Sequence, residues 1–369
     1  MKKLIWIIIA SFLVHNFSSG QKPARDRVKI GIAGLSHSHV LPLLRNFKNQ
    51  EFQIVGISES NNEMATRYAK EFGIDQNIIF NSLEEMLDKT NPDGVITFTS
   101  IFDHLKVVEA CAPRGIHVMV EKPLAVSTKH SEAISRLAVK YNIMVLTNYE
   151  TTWYPSNQRC LEMISDPEFG ELRKVIVYDG HKGPKEIRVN DEFLDWLTDP
   201  VLNGGGAVTD FGCYGANLIT WLLKGQKPEY VYAVLKQYKP DVYPKVDDDA
   251  TIILSYPSME GIINASWNWP FNRKDMHVYG TKGYVFADDP QNIRYRLSEK
   301  SGEVSEKLAL REAPYNNPFN FFAEAIKGTI QVSETDLSSL KLNMTVVEIL
   351  EAARRSNKTG KRVKLSPDH

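Results

Sequence analysis

Cysteine is scarce in this 369-residue chain, where Cys111, Cys160 and Cys213 are all there is. An odd number with no CxxC pair excludes a disulfide framework and a thiolate metal site, so the fold must stand on packing. Neither sign of charge dominates, with 44 Lys plus Arg against 45 Asp plus Glu and a formal net charge of −1. That balance provides no general field for nucleic acid or an anionic membrane surface. Internal repeats and low-complexity linkers are also missing. What is there suffices for a core: 43% of residues are hydrophobic and 24% charged, which excludes a disordered or collagen-like chain. At ~150 residues per domain the length implies two domains.

The first residues stand apart from that fold. Lys2 and Lys3 precede an apolar run, Leu4 to Val14, and polar and small residues follow through Phe17-Ser18-Ser19-Gly20-Gln21. These are the parts of a secretory signal peptide, and the run is short of the ~20 residues of a comfortable membrane span. Residues 1–20 are therefore expected to be removed on export to the periplasm, with no stable membrane insertion afterwards. An uncleaved anchor is the alternative, and no Cys follows the run to carry a lipid.

From Val28 to Thr147, short apolar runs alternate with helical patterns. Strands are expected at Val28–Ala33, Gln53–Ser58, Val95–Thr99, His117–Val120 and Met144–Thr147. Helices are expected at Asn62–Phe72, Leu83–Lys89, His104–Ala112 and Thr128–Tyr141. The order predicts a doubly wound parallel sheet of Rossmann type over residues 21–148, with its ligand crevice at the carboxyl ends of the strands. After Asn148, strands joined by turns such as Gly280-Thr281-Lys282-Gly283 alternate with helical stretches at Gly206–Leu223 and Leu337–Ser356. Residues 149–369 thus read as an α+β domain with a large, mainly antiparallel sheet.

The first strand runs into Gly34-Leu35-Ser36-His37-Ser38-His39, where a dinucleotide-binding protein places GxGxxG. Only Gly34 matches. Ser36 is small enough for the second position, and His39 departs at the third. Glu59 ends the second strand, where a carboxylate accepts hydrogen bonds from an adenosine ribose and repels a 2′-phosphate; this favours NAD and leaves NADP open. His37 and His39 form an HxH pair with no carboxylate or cysteine at a metal-ligand spacing, so no metal is expected and both are placed near the cofactor.

A buried strand then delivers Glu121-Lys122-Pro123 to the crevice. Here the chain resembles the Gfo/Idh/MocA oxidoreductase family, which shares this Glu-Lys-Pro signature. The resemblance extends through Thr99 and His104, Gly204-Gly205-Gly206 to Asp210, Val246 to Ala250 and Val278 to Gly283. It implies that Gly34, Ser36, His37, His39, Glu59, Thr99, His104, Glu121 and Lys122 line the cofactor, and that Lys122 sits beside the nicotinamide. It also implies a homo-oligomer formed through an open sheet face.

Alcohol oxidation needs a hydride acceptor and a group that takes the hydroxyl proton. Lys122, Tyr214 and Asp210 are the catalytic candidates. Asp210, Tyr214 and Asn217 follow i, i+4, i+7 spacing, which on one helix places them on one face toward one ligand. Many family members carry His and Asp where this chain has Tyr214 and Asn217, and the glucose-fructose oxidoreductase branch is similar to it in that respect. A phenol with an ordinary pKa of ~10 then replaces an imidazole, with Lys122 placed to depress it; a purely structural Tyr214–Asp210 hydrogen bond is the alternative. Tyr149, Trp153 and Asn217 are the substrate-binding candidates. The leading expectation is NAD(P)-dependent hydride transfer at a secondary hydroxyl of a sugar, glycoside or cyclic polyol. Alternatives are an NAD-dependent glycosidase using transient C3 oxidation, and a carbohydrate-binding protein on a retired fold. Export away from the intracellular dinucleotide pool implies either a cofactor held tightly and recycled by a second substrate or one acquired after export.

Overall fold

A computed structural model describes residues 27–366, so the signal peptide expected at residues 1–20 lies outside the described residues. The alternation seen in the sequence builds strands β1 (Lys29–Ala33), β2 (Gln53–Ser58), β3 (Ile79–Phe80), β4 (Gly94–Thr97), β5 (His117–Glu121) and β6 (Val145–Asn148). They form one parallel sheet in the order β3-β2-β1-β4-β5-β6. Helices α1 (Val40–Arg45), α2 (Asn62–Phe72), α3 (Leu83–Thr90), α4 (His104–Cys111) and α5 (Thr128–Tyr141) connect them. Local chemistry sets the ends: Asn61 and Ser127 side chains accept the Met64 and His130 amides at the starts of α2 and α5, and Gly73 closes α2 at φ 63°. The sheet order reverses direction between β1 and β4, which opens a crevice at their carboxyl ends.

The second half contributes α6 (Pro155–Ile164), β7 (Leu172–Gly180), α7 (Asp191–Leu197), α8 (Ala207–Asp210) and α9 (Gly212–Leu222). It continues through β8 (Tyr230–Lys236), β9 (Asp249–Ser255), β10 (Glu260–Ser266), β11 (Arg273–Gly280), β12 (Tyr284–Ala287), β13 (Asn292–Arg296) and β14 (Val304–Lys307), and ends with α10 (Pro318–Ile326), α11 (Leu340–Thr359) and β15 (Val363–Lys364). Its nine-stranded sheet runs β14-β13-β12-β11-β7-β10-β9-β8-β15, antiparallel throughout except where β7 pairs with β10. Every residue of α9 is buried, as an all-round apolar helix requires. It lies close on the sheet: a Cβ on Gly215 would fall 2.6 Å from Ile263. No helix among the described residues is long and apolar enough to cross a membrane.

Two features depart from the sequence reading. The helical stretch Gly206–Leu223 is two helices, broken at Phe211. And α10, which follows the second sheet in the chain, returns to the first: Phe319, Phe321 and Phe322 pack in the core that contains Ile96, Phe98 and Met119. The first sheet is thus finished by residues far outside 21–148.

Candidate active site

Two clefts lie on either side of the turn Gly34–His39. The first, of about 490 Å³, is bounded by the ends of β1, β2 and β4 and lined by Gly34, Ser36, Glu59 and Thr99. Gly34 has φ +77°, and a Cβ there would lie 2.6 Å from Thr99 Cγ2, so only glycine passes this point. Both Glu59 oxygens accept backbone amides, from Leu35 and Asn61 at 2.8 Å each. Burial raises the Glu59 pKa against the pull of those amides. Ser36 Oγ donates to the Phe98 carbonyl at 3.3 Å and accepts the Trp196 indole N–H at 3.1 Å. Helix α7 therefore lies across the turn as a strap, reinforced by the Arg67–Glu192 ion pair at 2.6 Å. A dinucleotide fits these residues: a glycine-only turn, a strand-end carboxylate with spare lone pairs, and a cleft at the reversal point of the sheet.

The second cleft, of about 750 Å³, lies between the two sheets and takes in Lys122, Asp210, Tyr214 and His39. Lys122 leaves the end of β5, and its ammonium is paired with the Asp210 carboxylate and donates to the Asp210 carbonyl at 3.0 Å. The other Asp210 oxygen accepts the Trp267 indole N–H at 2.9 Å. Burial presses the Lys122 ammonium toward neutrality, but Asp210 outweighs it and the pKa stays above the usual lysine value. Burial likewise opposes the Asp210 charge, and Lys122, His181 and the Trp267 hydrogen bond overcome it, so the carboxyl pKa is lowered. The pair is ionised and dry.

Tyr214 differs from expectation. Burial first, then the charges of Glu150, Cys213, Asp210 and Asp179, push its phenol well above 10. Lys122 stands 5.3 Å from the Tyr214 ring centroid, over the ring rather than at the oxygen, so it does not depress the phenol. Tyr214 therefore enters the cleft as an O–H donor.

His39 closes the wall opposite. Its Nδ1 lies 2.8 Å from Glu121 Oε2, and Glu121 Oε1 accepts the Asn148 amide at 2.9 Å. Burial works against the Glu121 charge, but His39 and Asn148 hold its pKa below the ordinary value. An ionised carboxylate only accepts, so the His39 Nδ1 carries the proton.

Several candidates lie elsewhere. Asn217 is fully buried on α9, three residues beyond Tyr214, and donates to Leu337 O at 2.9 Å and to Asn343 at 3.2 Å, so its amide is turned to the core and does not line the cleft. Tyr149 is fully buried under Tyr214, ring centroids 5.5 Å apart, and does not line the cleft. Trp153 donates its indole N–H to Asn148 at 3.0 Å and packs on Phe321. None of these three side chains lines the cleft. Three cofactor candidates also sit behind the walls. His37 is buried against Phe193 and Trp196, His104 lies under Leu124 with its Nδ1 3.2 Å from that carbonyl, and Glu121 is covered by His39 and Asn148. Bulk and burial keep all three from facing either cleft.

The fold also supplies the carboxylate that the HxH spacing lacks along the chain: His37, His39 and Glu121 place one ligand atom each within 4.8 Å of one another. Within this group His39 Nδ1 bonds Glu121, and His37 Nδ1 accepts the His39 amide at 3.1 Å.

Sequence reading missed several cleft residues. Glu150 and Lys274 form an ion pair beside Tyr214, and His181 directly follows strand β7. Asp179, two residues before His181, is fully buried with no hydrogen-bond partner on either oxygen among the described residues, and burial raises its pKa far above the usual range. A signal for it existed: Val175, Val177 and Asp179 share the inward face of β7, where a carboxylate is out of place.

Comparison with known proteins gives these features a setting. The family model described as an oxidoreductase family with an NAD-binding Rossmann fold matches residues 28–149, and the GFO/IDH/MocA C-terminal domain matches residues 157–286. A trans-1,2-dihydrobenzene-1,2-diol dehydrogenase of Sus scrofa is 25% identical over 334 residues, covering 88% of this chain and 94% of that one. A D-xylose 1-dehydrogenase (NADP(+)) of Haloferax volcanii is 23% identical, covering 91% and 98%. Among solved structures, the aldose-aldose oxidoreductase of Caulobacter crescentus with glycerol superposes with a TM-score of 0.78 at 21% identity, covering 92% and 100%. An inositol dehydrogenase homologue of Azotobacter vinelandii with NAD+ gives 0.78 at 16%, covering 92% and 97%.

Proposed function

Since this chain belongs to the GFO/IDH/MocA oxidoreductase family and is an NAD(P)-dependent oxidoreductase acting on CH–OH groups, we propose that its substrate is a sugar, glycoside or cyclic polyol reacting at a secondary hydroxyl. The observation that carries this reading is the buried Lys122–Asp210 pair in the cleft between the two sheets, whose lining mixes acids and bases. Glu150, Asp275 and Asp288 face that cleft beside Lys274, Arg273 and Arg294, a lining that offers both acceptors and donors to a ring of hydroxyls. The relatives named above act on a diol, an aldose or an inositol, which supports the same class.

A bound nicotinamide dinucleotide supplies the hydride acceptor. Gly34, Ser36, Glu59 and Thr99 would hold its adenosine half, and the carboxylate of Glu59 would favour NAD. Lys122 holds a fixed positive charge beside the reacting oxygen and stabilises charge developing there. Asp210 keeps that ammonium ionised and aimed, and Trp267 holds Asp210. Tyr214 donates a hydrogen bond from the same wall. The strap α7 shields the turn from solvent, which suits a cofactor that stays bound through many turnovers. The Lys-Lys start and the apolar run Leu4 to Val14 support work outside the cytoplasm, and the half-exposed outer face of the nine-stranded sheet supports pairing of two copies.

The test is direct. Denatured protein should release about one dinucleotide per chain, identified by mass. D-glucose, D-xylose, methyl β-D-glucoside and myo-inositol are then screened for reduction of the bound nicotinamide at its own absorbance band. A keto product with a reduced nicotinamide supports the reading. Glycoside cleavage without net reduction would replace it with the glycosidase, and a chain that binds no dinucleotide would end it.

A further inference from the structure

The proton released by the alcohol needs an acceptor, and most groups around the cleft are unable to serve. Lys122 is already an ammonium held by Asp210, and the Tyr214 phenol is held protonated by burial. Among the carboxylates, Glu150, Asp275 and Asp288 carry Lys274, Arg273 and Arg294 as counter-ions. Asp289 accepts the Gln291 and Asn292 amides. Three imidazoles line the cleft: His39, His181 and His277. His181 Nδ1 accepts the Gly183 amide at 2.9 Å, so its proton lies on Nε2 and it faces the cleft as a donor. Burial lowers the His181 pKa and keeps it neutral. His277 turns its Nε2 to Asp275, 3.5 Å away.

His39 has the opposite tautomer. Its Nδ1–H is fixed on Glu121, a carboxylate itself anchored by Asn148, which leaves the Nε2 lone pair on a side chain that is 37% exposed and lines the cleft. A nitrogen base oriented through its other nitrogen by a buried carboxylate is the arrangement that general-base histidines adopt. Resting on the functional reading above, we propose that His39 is the proton acceptor of this active site, taking the hydroxyl proton at Nε2, with Glu121 as the positioning residue behind it. In oxidation the carbinol C–H and O–H bonds break and C=O forms. The hydride, with its electron pair, goes to the oxidised nicotinamide dinucleotide; the proton goes to His39, and Glu121 balances the imidazolium. The histidine that α9 lacks is thereby supplied from the first turn of the other domain, which also accounts for a large side chain at the third glycine position. The charged and titratable groups facing His39 are Glu121, His37 at 4.3 Å between ring centroids, and Glu150.

The experiment uses the full chain saturated with NADH and labelled with 15N-histidine, assigned through His39→Gln. The expected spectrum shows His39 protonated at Nδ1 alone, and Glu121→Gln relaxes that single tautomer into a mixture. In parallel, with the sugars and inositol named above as probes, His39→Gln should slow hydride transfer ~10²–10⁴-fold and remove the pH step from the rate. Glu121→Gln should shift that step. His39 protonated at Nε2, a wild-type pH profile in His39→Gln, or a fall matched by lost NADH affinity would each overturn the proposal. Absence of turnover by wild-type protein with every probe would overturn the functional reading beneath it, a distinct result.

Discussion

Replacing Lys122 by Met removes the ammonium and leaves the Asp210 carboxylate buried with the Trp267 indole N–H as its remaining side-chain donor. Both partners are almost fully enclosed, at 5% and 7% side-chain exposure, so water does not compensate. Breaking such a pair from one side costs about 3–5 kcal/mol, because an unpaired charge stays inside. With a melting entropy of ~2.1 cal/mol/K per residue over a chain of this size, the thermal midpoint should fall by roughly 4–7 °C. Activity disappears as well, but the stability loss is what separates this account from one in which Lys122 is only catalytic and its removal leaves the fold untouched. Adding Asp210→Asn to Lys122→Met removes the stranded charge and should restore most of the midpoint, though not turnover. Differential scanning calorimetry of the two single variants and the double closes the cycle. If the two single effects add within ~0.5 kcal/mol, the residues are not coupled and the picture of a dry ion pair is wrong.

Asp179→Asn should raise the thermal midpoint at pH 7. A carboxyl whose folded pKa lies above its unfolded value of ~3.9 loses stability as pH rises from that value toward the folded one, so the advantage of the variant should shrink steadily toward pH 4. A gap independent of pH would show that Asp179 is not held protonated. Trp196→Ala removes the strap's bond to Ser36 and its packing on His37, and should speed dinucleotide release as measured by exchange against labelled NAD; an unchanged rate would remove α7 from cofactor retention. Glu59→Ser should move coenzyme preference toward NADP, read as the ratio of dissociation constants, and should cost stability because Leu35 and Asn61 amides lose their acceptor. Asn217→Ala should lower stability by about 1–3 kcal/mol and leave KM for any accepted sugar unchanged, since its partners are Leu337 and Asn343 rather than the cleft.

The alternation of apolar runs with amphipathic helices made the first sheet legible, because hydrophobic periodicity is a local property. β2, α2 and α5 fall where the pattern places them. The short strand β3, with two residues, β13, and the edge strands β14 and β15 carry too few apolar positions to register. Lys122, Asp210 and Tyr214 were legible because a strand end and a helix start bring them to one cleft. Asn217 shares α9 with Tyr214, yet its amide is taken by Leu337 and Asn343, partners 120 and 126 positions away that helical spacing does not reveal. Tyr149 and Trp153 were ambiguous in the sequence for another reason. An aromatic at a domain exit suits a sugar platform and a core wedge equally, and only the tertiary packing of Tyr214 and Phe321 decides between them.

The missing glycines show how a departure from a motif can be explained by the rest of the molecule. The third glycine of the fingerprint normally permits close packing of helix on strand. Here α1 has six residues, and His39 stands at its first turn with the ring directed away from that seam, onto Glu121. The steric objection to a large residue at this position therefore falls, because the side chain never enters the space that glycine keeps open. Glu121 is in turn held by Asn148, at the end of β6, so three separate strands and turns of the first domain fix one imidazole. Sequence spacing alone could not reveal this: 82 positions separate His39 from Glu121, and their contact exists only once β1 and β5 lie on either side of β4.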